Sequence, residues 1–262
     1  MSSIVNVTAV VAMLPLALLA LRPEPRRDRR FWSAVAVAAA GAVGWTLIRF
    51  GDSWDVGLGA ALWVSTASTV TVFAALSMVS ATMARFAGLL GPYLLMLALL
   101  ASLLDAPGGP SPNAPDAWIL AHIVLSLATY ALATLAAVAG LAVFLKEAAL
   151  KAKSPVGPSA GLPAVADAET LLFRLLAAAE AVLAIGIISG IAVNAGAGQT
   201  WLVVDHKTVL SLGAFAVVGA VLLAHARLGL RGRRAVRFVL AIYLLLTLAY
   251  PGVKAVRALV GA

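Results

Sequence analysis

The chain has 262 residues, 63% of them apolar and 11% charged, against about 25% charged in soluble globular domains, and its mean hydropathy is +1.02. An ordinary soluble protein is thereby excluded: at about 20 apolar residues per bilayer-spanning helix the length allows eight or nine spans and no separate soluble domain. The net charge of +8 is broken up by apolar runs and carries no nucleic-acid module, while the absence of cysteine excludes disulfides and thiolate metal sites, leaving His, Met or carboxylate as metal ligands.

Apolar runs predict spans at about 4–21, 32–50, 58–80, 86–104, 117–145, 173–194, 207–226 and 236–258. No Lys or Arg precedes the first run, which therefore lacks the basic leader of a secretory signal and is expected to stay as a span. The third span carries Ser65, Thr66, Ser68, Thr69 and Thr71, a small hydroxylated surface whose usual use is close helix packing. After the fourth span, Asp105 to Asp116 is too rich in Pro and Gly for helix, and 151–166 is a second flexible connection with Pro155, Pro158 and Pro163. Asp167 is expected to open the helix that leads into the sixth span. No internal repeat or soluble motif interrupts this reading, so residues 1–262 form one integral membrane domain, an all-α polytopic helical bundle of about eight transmembrane helices.

Charge fixes the orientation. Fifteen of the 19 basic residues fall in alternate connections: Arg22, Arg26, Arg27, Arg29 and Arg30; Arg85; Lys146, Lys151, Lys153 and Arg174; Arg227, Arg231, Arg233, Arg234 and Arg237. By the positive-inside rule these face the cytoplasm. The opposite side keeps Arg49, Lys207, Lys254 and Arg257 with Asp52, Asp55, Asp105, Asp116 and Asp205. Both termini are therefore expected on the outer, periplasmic side of a bacterial inner membrane.

Three histidines occur. His122 lies about five residues into the fifth span, roughly 8 Å along the helix from its outer end. His206 lies at the outer start of the seventh span and His225 at its inner end. An intramembrane histidine commonly hydrogen-bonds between helices, yet two neutral imidazoles on the same side can also converge as axial ligands on a porphyrin iron. Trp45, Trp54, Trp63, Trp118 and Trp201 fall in the outer half, as an interfacial belt or as a stacking platform for a flat cofactor. Arg49, Lys207 and Lys254 are the outer cations available to propionates. Glu180 is an intramembrane carboxylate expected to pair with His225 from the neighbouring span.

The stretch Trp201-Leu-Val-Val-Asp205-His206-Lys207-Thr208, the following apolar span, His225 and Gly229-Leu-Arg-Gly-Arg-Arg-Ala235 resemble the C-terminal part of the YpjD-type branch of the CcsA-like cytochrome c assembly proteins. His122-Ile-Val-Leu-Ser-Leu-Ala-Thr-Tyr130 resembles that family's histidine-led span, and Glu169-Thr-Leu-Leu-Phe-Arg174 with the run ending Ser189-Gly190 resembles the next. The similarity covers about 117–258, while 1–104 agrees in hydropathy and span count. It implies a haem-handling membrane protein that holds or presents haem, of the b type, near the outer face. A Trp-rich outer segment would cover the haem and histidines would ligate it. His122 corresponds to a family ligand, and His206 is expected to complete the iron site, with Trp201, Asp205, Lys207 and Arg49 around it. The resemblance makes His225 an inner haem contact, which competes with the Glu180 pairing. Haem, the lipid bilayer and other cytochrome c assembly or membrane proteins are the implied partners. Haem binding and delivery is expected rather than a reaction of its own, since no catalytic base is identifiable. A transporter or transporter accessory without haem is the alternative.

Overall fold

The computed structural model describes residues 2–22, 26–52, 54, 57–105, 115–153, 159, 161–196, 206–230 and 232–247, without the side chains of 2, 52, 195, 196, 206 and 207. Every regular element among them is helical: α1 (Ser2–Leu18, closing in a 3-10 turn at Leu19–Leu21), α2 (Arg29–Asp52), α3 (Leu58–Val79), α4 (Ala81–Ala84), α5 (Ala87–Leu103), α6 (Ala117–Lys151), α7 (Val165–Gly196), α8 (His206–Leu228) and α9 (Gly232–Thr247). Six of these are long and apolar enough to cross a membrane, and the apolar α5 is shorter at 17 residues. The predicted eighth span corresponds to α9 as far as Thr247, and its remainder lies outside the described residues. The chain is a polytopic helical membrane bundle.

Local chemistry sets the helix starts. The Asp28 carboxylate accepts the Phe31 N–H at 2.8 Å and pairs with Arg22 at 3.2 Å, so α2 opens on a satisfied cap. That N–H bond, with Arg22 beside it, holds the Asp28 carboxyl below its usual range. Ser80 accepts from Met83 N and inserts the short α4 between the third and fourth predicted spans. Asp116 caps α6 through Ile119 N at 2.8 Å. Gly229 (φ +64°) and Gly232 (φ +61°) take the left-handed turn from α8 to α9, which residues with a Cβ adopt only with strain.

Two groups of helices pack side by side. Helices α1, α2, α3 and α5 form the first and α6 to α9 the second, with α3 and α5 against α6. Small residues bring backbones together within the first group: a Cβ on Gly91 would strike the Leu16 carbonyl, and one on Gly59 would lie 2.7 Å from the Ala101 carbonyl oxygen. Phe31, Trp63, Phe73, Met13 and Leu16 fill its core, and Leu135, Leu172 and Leu176 that of the second group. Tyrosines join the halves, with the Tyr243 hydroxyl bonded to Tyr93 on α5 and, at 3.1 Å, to Tyr130 on α6.

Five hydroxyls of α3 are spent inside that helix, since Ser65, Thr66, Ser68, Thr69 and Thr71 each donate to the carbonyl four residues earlier at 2.7–2.9 Å. Alternating helix direction separates a basic from an acidic end. At the basic end Arg85 donates to the Gly161 carbonyl, Arg27 to that of Met78 and Lys146 to that of Ser159. There α6 runs on to Lys151, past the predicted end at 145, and α7 opens at Val165, two residues before the expected Asp167, because the last turns of α6 and the first of α7 carry polar residues that leave the apolar zone without leaving the helix.

Candidate functional site

His122 sits one and a half turns into α6 at the acidic end, half-buried against α7. Its Nδ1 lies 2.9 Å from the Ser189 hydroxyl oxygen, and that hydroxyl donates its one proton to the Gly186 carbonyl at 2.8 Å. Both contacts are satisfied at once when Ser189 donates to Gly186 and accepts from the imidazole, the arrangement with the proton on His122 Nδ1 and the lone pair on Nε2. An oxygen holding the far N–H is the arrangement that orients a metal-ligating histidine and raises its basicity. Gly190 makes room for the ring: a Cβ there would meet His122 Cε1 at 3.1 Å. Around it Trp118 is 71% and Val124 57% exposed, so this stretch of α6 is an open apolar surface. Among the described residues no three His, Asp or Glu side chains gather as around a bare metal ion. A single imidazole of fixed tautomer beside open apolar surface fits a porphyrin iron, whose macrocycle already fills four positions.

The other expected site residues fall differently. Trp201 and Asp205 lie outside the described residues, as do Lys254 and the side chains of His206 and Lys207; His206 is placed only as the first residue of α8. Arg49 is bound into a network at the acidic end of the first group. It pairs at 3.3 Å with Asp105, whose side chain is 5% exposed and which also accepts from Asn6, while Asn6 takes the Trp45 indole N–H. Trp45 in turn stacks on Trp63 at 5.2 Å, so these two tryptophans pack against each other inside the protein.

His225 stands near the basic end of α8. Its ring lies flat on Phe173 of α7, with centroids 3.4 Å apart, and its Nδ1–H donates to the Leu230 carbonyl at 2.8 Å. The expected bond to Glu180 does not form. Glu180 faces Gly219, where a Cβ would lie 3.1 Å from Oε1, and its buried Oε2 has no hydrogen-bond partner among the described residues. The two helices run antiparallel, so Phe173 fixes the level of His225 and Glu180 comes seven residues, about 10 Å, further toward the acidic end. The helix opens at Val165, two residues before the expected Asp167, so Glu180 lies about four turns into α7.

Sequence reasoning did not single out Ser189, which is the residue that decides the state of His122. Its one signal was the Ser189-Gly190 pair, a hydroxyl and a missing side chain side by side on a helix otherwise apolar at that level.

A family model described as cytochrome c assembly protein matches residues 33–260. The chain is also similar to an uncharacterised 28.8 kDa protein, in a nifR3-like 5' region, of Azospirillum brasilense. The two are 44% identical over 258 residues, 95% of this chain and 94% of that protein. No solved structure matches the chain.

Proposed function

Because the chain belongs to the cytochrome c assembly protein family, which supports a haem-handling role in cytochrome c biogenesis, we propose that it binds haem through His122 near the acidic end of the bundle. The observation that carries this reading is the Ser189 contact, which leaves Nε2 of His122 as a lone pair beside an open apolar surface. In this reading His206 would hold the iron together with His122, and Trp201, Asp205 and Lys207 would line the site. The bound group is haem b, the protein is a YpjD-type member of the inner membrane with that end periplasmic, and its partners are other components of cytochrome c biogenesis. Haem, when bound, would supply the iron, and the chain would supply the imidazoles, their orientation and a dry apolar wall. His225 forms a second contact at the basic end, supported by an Nδ1–H held by the Leu230 carbonyl in the same sense as at His122.

The test is a visible spectrum of the protein purified after expression with haem available. A Soret band is expected that weakens in His122→Ala and in His206→Ala and disappears in the double variant. Undiminished haem in the double variant refutes the assignment.

A further inference from the structure

A second site lies at the basic end, on the far side of the second helix group from His122. Where α8 turns into α9, a cavity of about 590 Å³ opens between α6, α8 and α9, lined by Glu147 and Lys151, by Ala224, Leu228 and Leu230, and by Arg233 and Arg234. Three cations thus face one carboxylate. Glu147 is taken up by Arg233 at 3.5 Å, and Arg233 is further fixed by its guanidinium lying 5.0 Å over the Phe144 ring. Lys151 and Arg234, both exposed, have no counter-ion among the described residues, so the cavity keeps an excess of two positive charges. The architecture that produces it is held in place from below: Glu169 of α7 accepts the Gly232 N–H at 2.7 Å and pins the first turn of α9.

The other wall is apolar and opens onto the membrane. Leu228 is 82% exposed, and α8 is the least covered of the six long helices, with Leu212, Ala216, Ala220 and Leu223 exposed along one face that runs away from the cavity. A soluble anion would use the cations and leave this wall unused. A molecule with one phosphate and long acyl chains uses both, with the phosphate between Lys151 and Arg234 and the chains along α8. Basic pockets between membrane helices on the cytoplasmic side suit such headgroups, and the positive-inside alternation puts this end there.

We infer that this cavity binds the phosphate group of an anionic phospholipid. Arg233, tied to Glu147, holds the shape of the pocket, while Lys151 and Arg234 supply the charge that the headgroup neutralises.

The test uses the full chain purified in a non-ionic detergent, titrated with short-chain phosphatidylglycerol and followed by native mass spectrometry and by thermal unfolding. Phosphatidylcholine of the same chains, glycerol phosphate and inorganic phosphate are the comparison arms. Phosphatidylglycerol is expected to bind and to raise the unfolding temperature, with the comparison arms at least about tenfold weaker. The double variant K151Q/R234Q changes two exposed side chains, leaves the Glu147–Arg233 pair intact and is expected to weaken phosphatidylglycerol binding about tenfold or more. R29Q/R30Q, which removes two exposed cations from the same end of the first group, is expected to leave binding unchanged. Equal binding of phosphatidylcholine overturns the charge argument, and equal binding of glycerol phosphate or inorganic phosphate overturns the lipid argument. Full binding in K151Q/R234Q, or equal loss in R29Q/R30Q, overturns the assignment to this cavity.

Discussion

Substituting Ser189 by Ala separates a histidine that merely bridges two helices from one prepared as an iron ligand. In the native protein the Ser189 hydroxyl is committed to the Gly186 carbonyl and its oxygen receives the His122 Nδ1–H at 2.9 Å. The alanine variant removes that acceptor and nothing larger. Both residues are half-buried, so the ring loses its anchor, and the tautomer with the proton on Nε2, in which that nitrogen cannot bind a metal, is no longer disfavoured. Loss of such an outer partner typically costs about 10–100-fold in metal affinity, or roughly 1.4–2.8 kcal/mol. The assay is titration of purified haem-free protein with haem, read at the Soret band. S189A is expected to bind 10–100-fold more weakly, S189T to recover most of the affinity because it keeps a hydroxyl, and H122A to weaken the band at least as much as S189A. Haem affinity of S189A within about twofold of the native value, with the H122A band weakened, would refute the tautomer argument.

Replacing Gly190 by Ala should lower haem affinity, because the new Cβ would press on His122 Cε1 at 3.1 Å. Gly186→Ala, one turn away with only Leu125 Cβ at 3.9 Å, should leave haem affinity intact and stabilise the helix by up to about 1 kcal/mol. The same Soret titration decides, and equal effects of the two would contradict the placement of the ring. Glu180→Gln and His225→Ala should combine additively in thermal unfolding, to within about 0.5 kcal/mol, since the two side chains lie at different levels of the bundle and share no bond. A coupling above about 1 kcal/mol would show that they meet.

What the sequence makes legible here is depth along the membrane normal. Hydropathy locates the spans, and the arginine clusters locate the basic end, because both depend on composition within a short window. His122 is found where its position in the fifth span puts it, because that helix starts on the Asp116 cap at the predicted residue. Rotation of one helix against another is not legible, since it depends on side chains that meet across long sequence separations. Ser189 is 67 residues from His122, Asp105 is 56 from Arg49, and Tyr243 is 150 from Tyr93, and no periodicity within a span links such pairs. The Glu180–His225 pairing fails although its levels are legible: the predicted inner ends at 173 and 226 already set Glu180 six or seven residues, roughly 10 Å, beyond His225, and the stack of His225 on Phe173 keeps that offset.

The two halves of the bundle are built differently. In the first group the acidic-end polar residues Asn6, Arg49 and Asp105 satisfy one another, and Trp45 and Trp63 are consumed by stacking, so that end is a closed structural cap. In the second group α6 is the most enclosed long helix and packs along α7, which together fix His122, Ser189 and Gly190 on rigid elements. Helix α8 is the opposite: it meets α7 through the His225–Phe173 stack and the bare Gly219 beside Glu180, and most of its surface faces outward. For a bulky flat ligand such as haem this division has a physical logic. One ligand must be held to a fraction of an ångström by a rigid pair of helices, while the wall that closes on the other face must yield for the ring to arrive and leave. The least covered helix is the one that begins at His206.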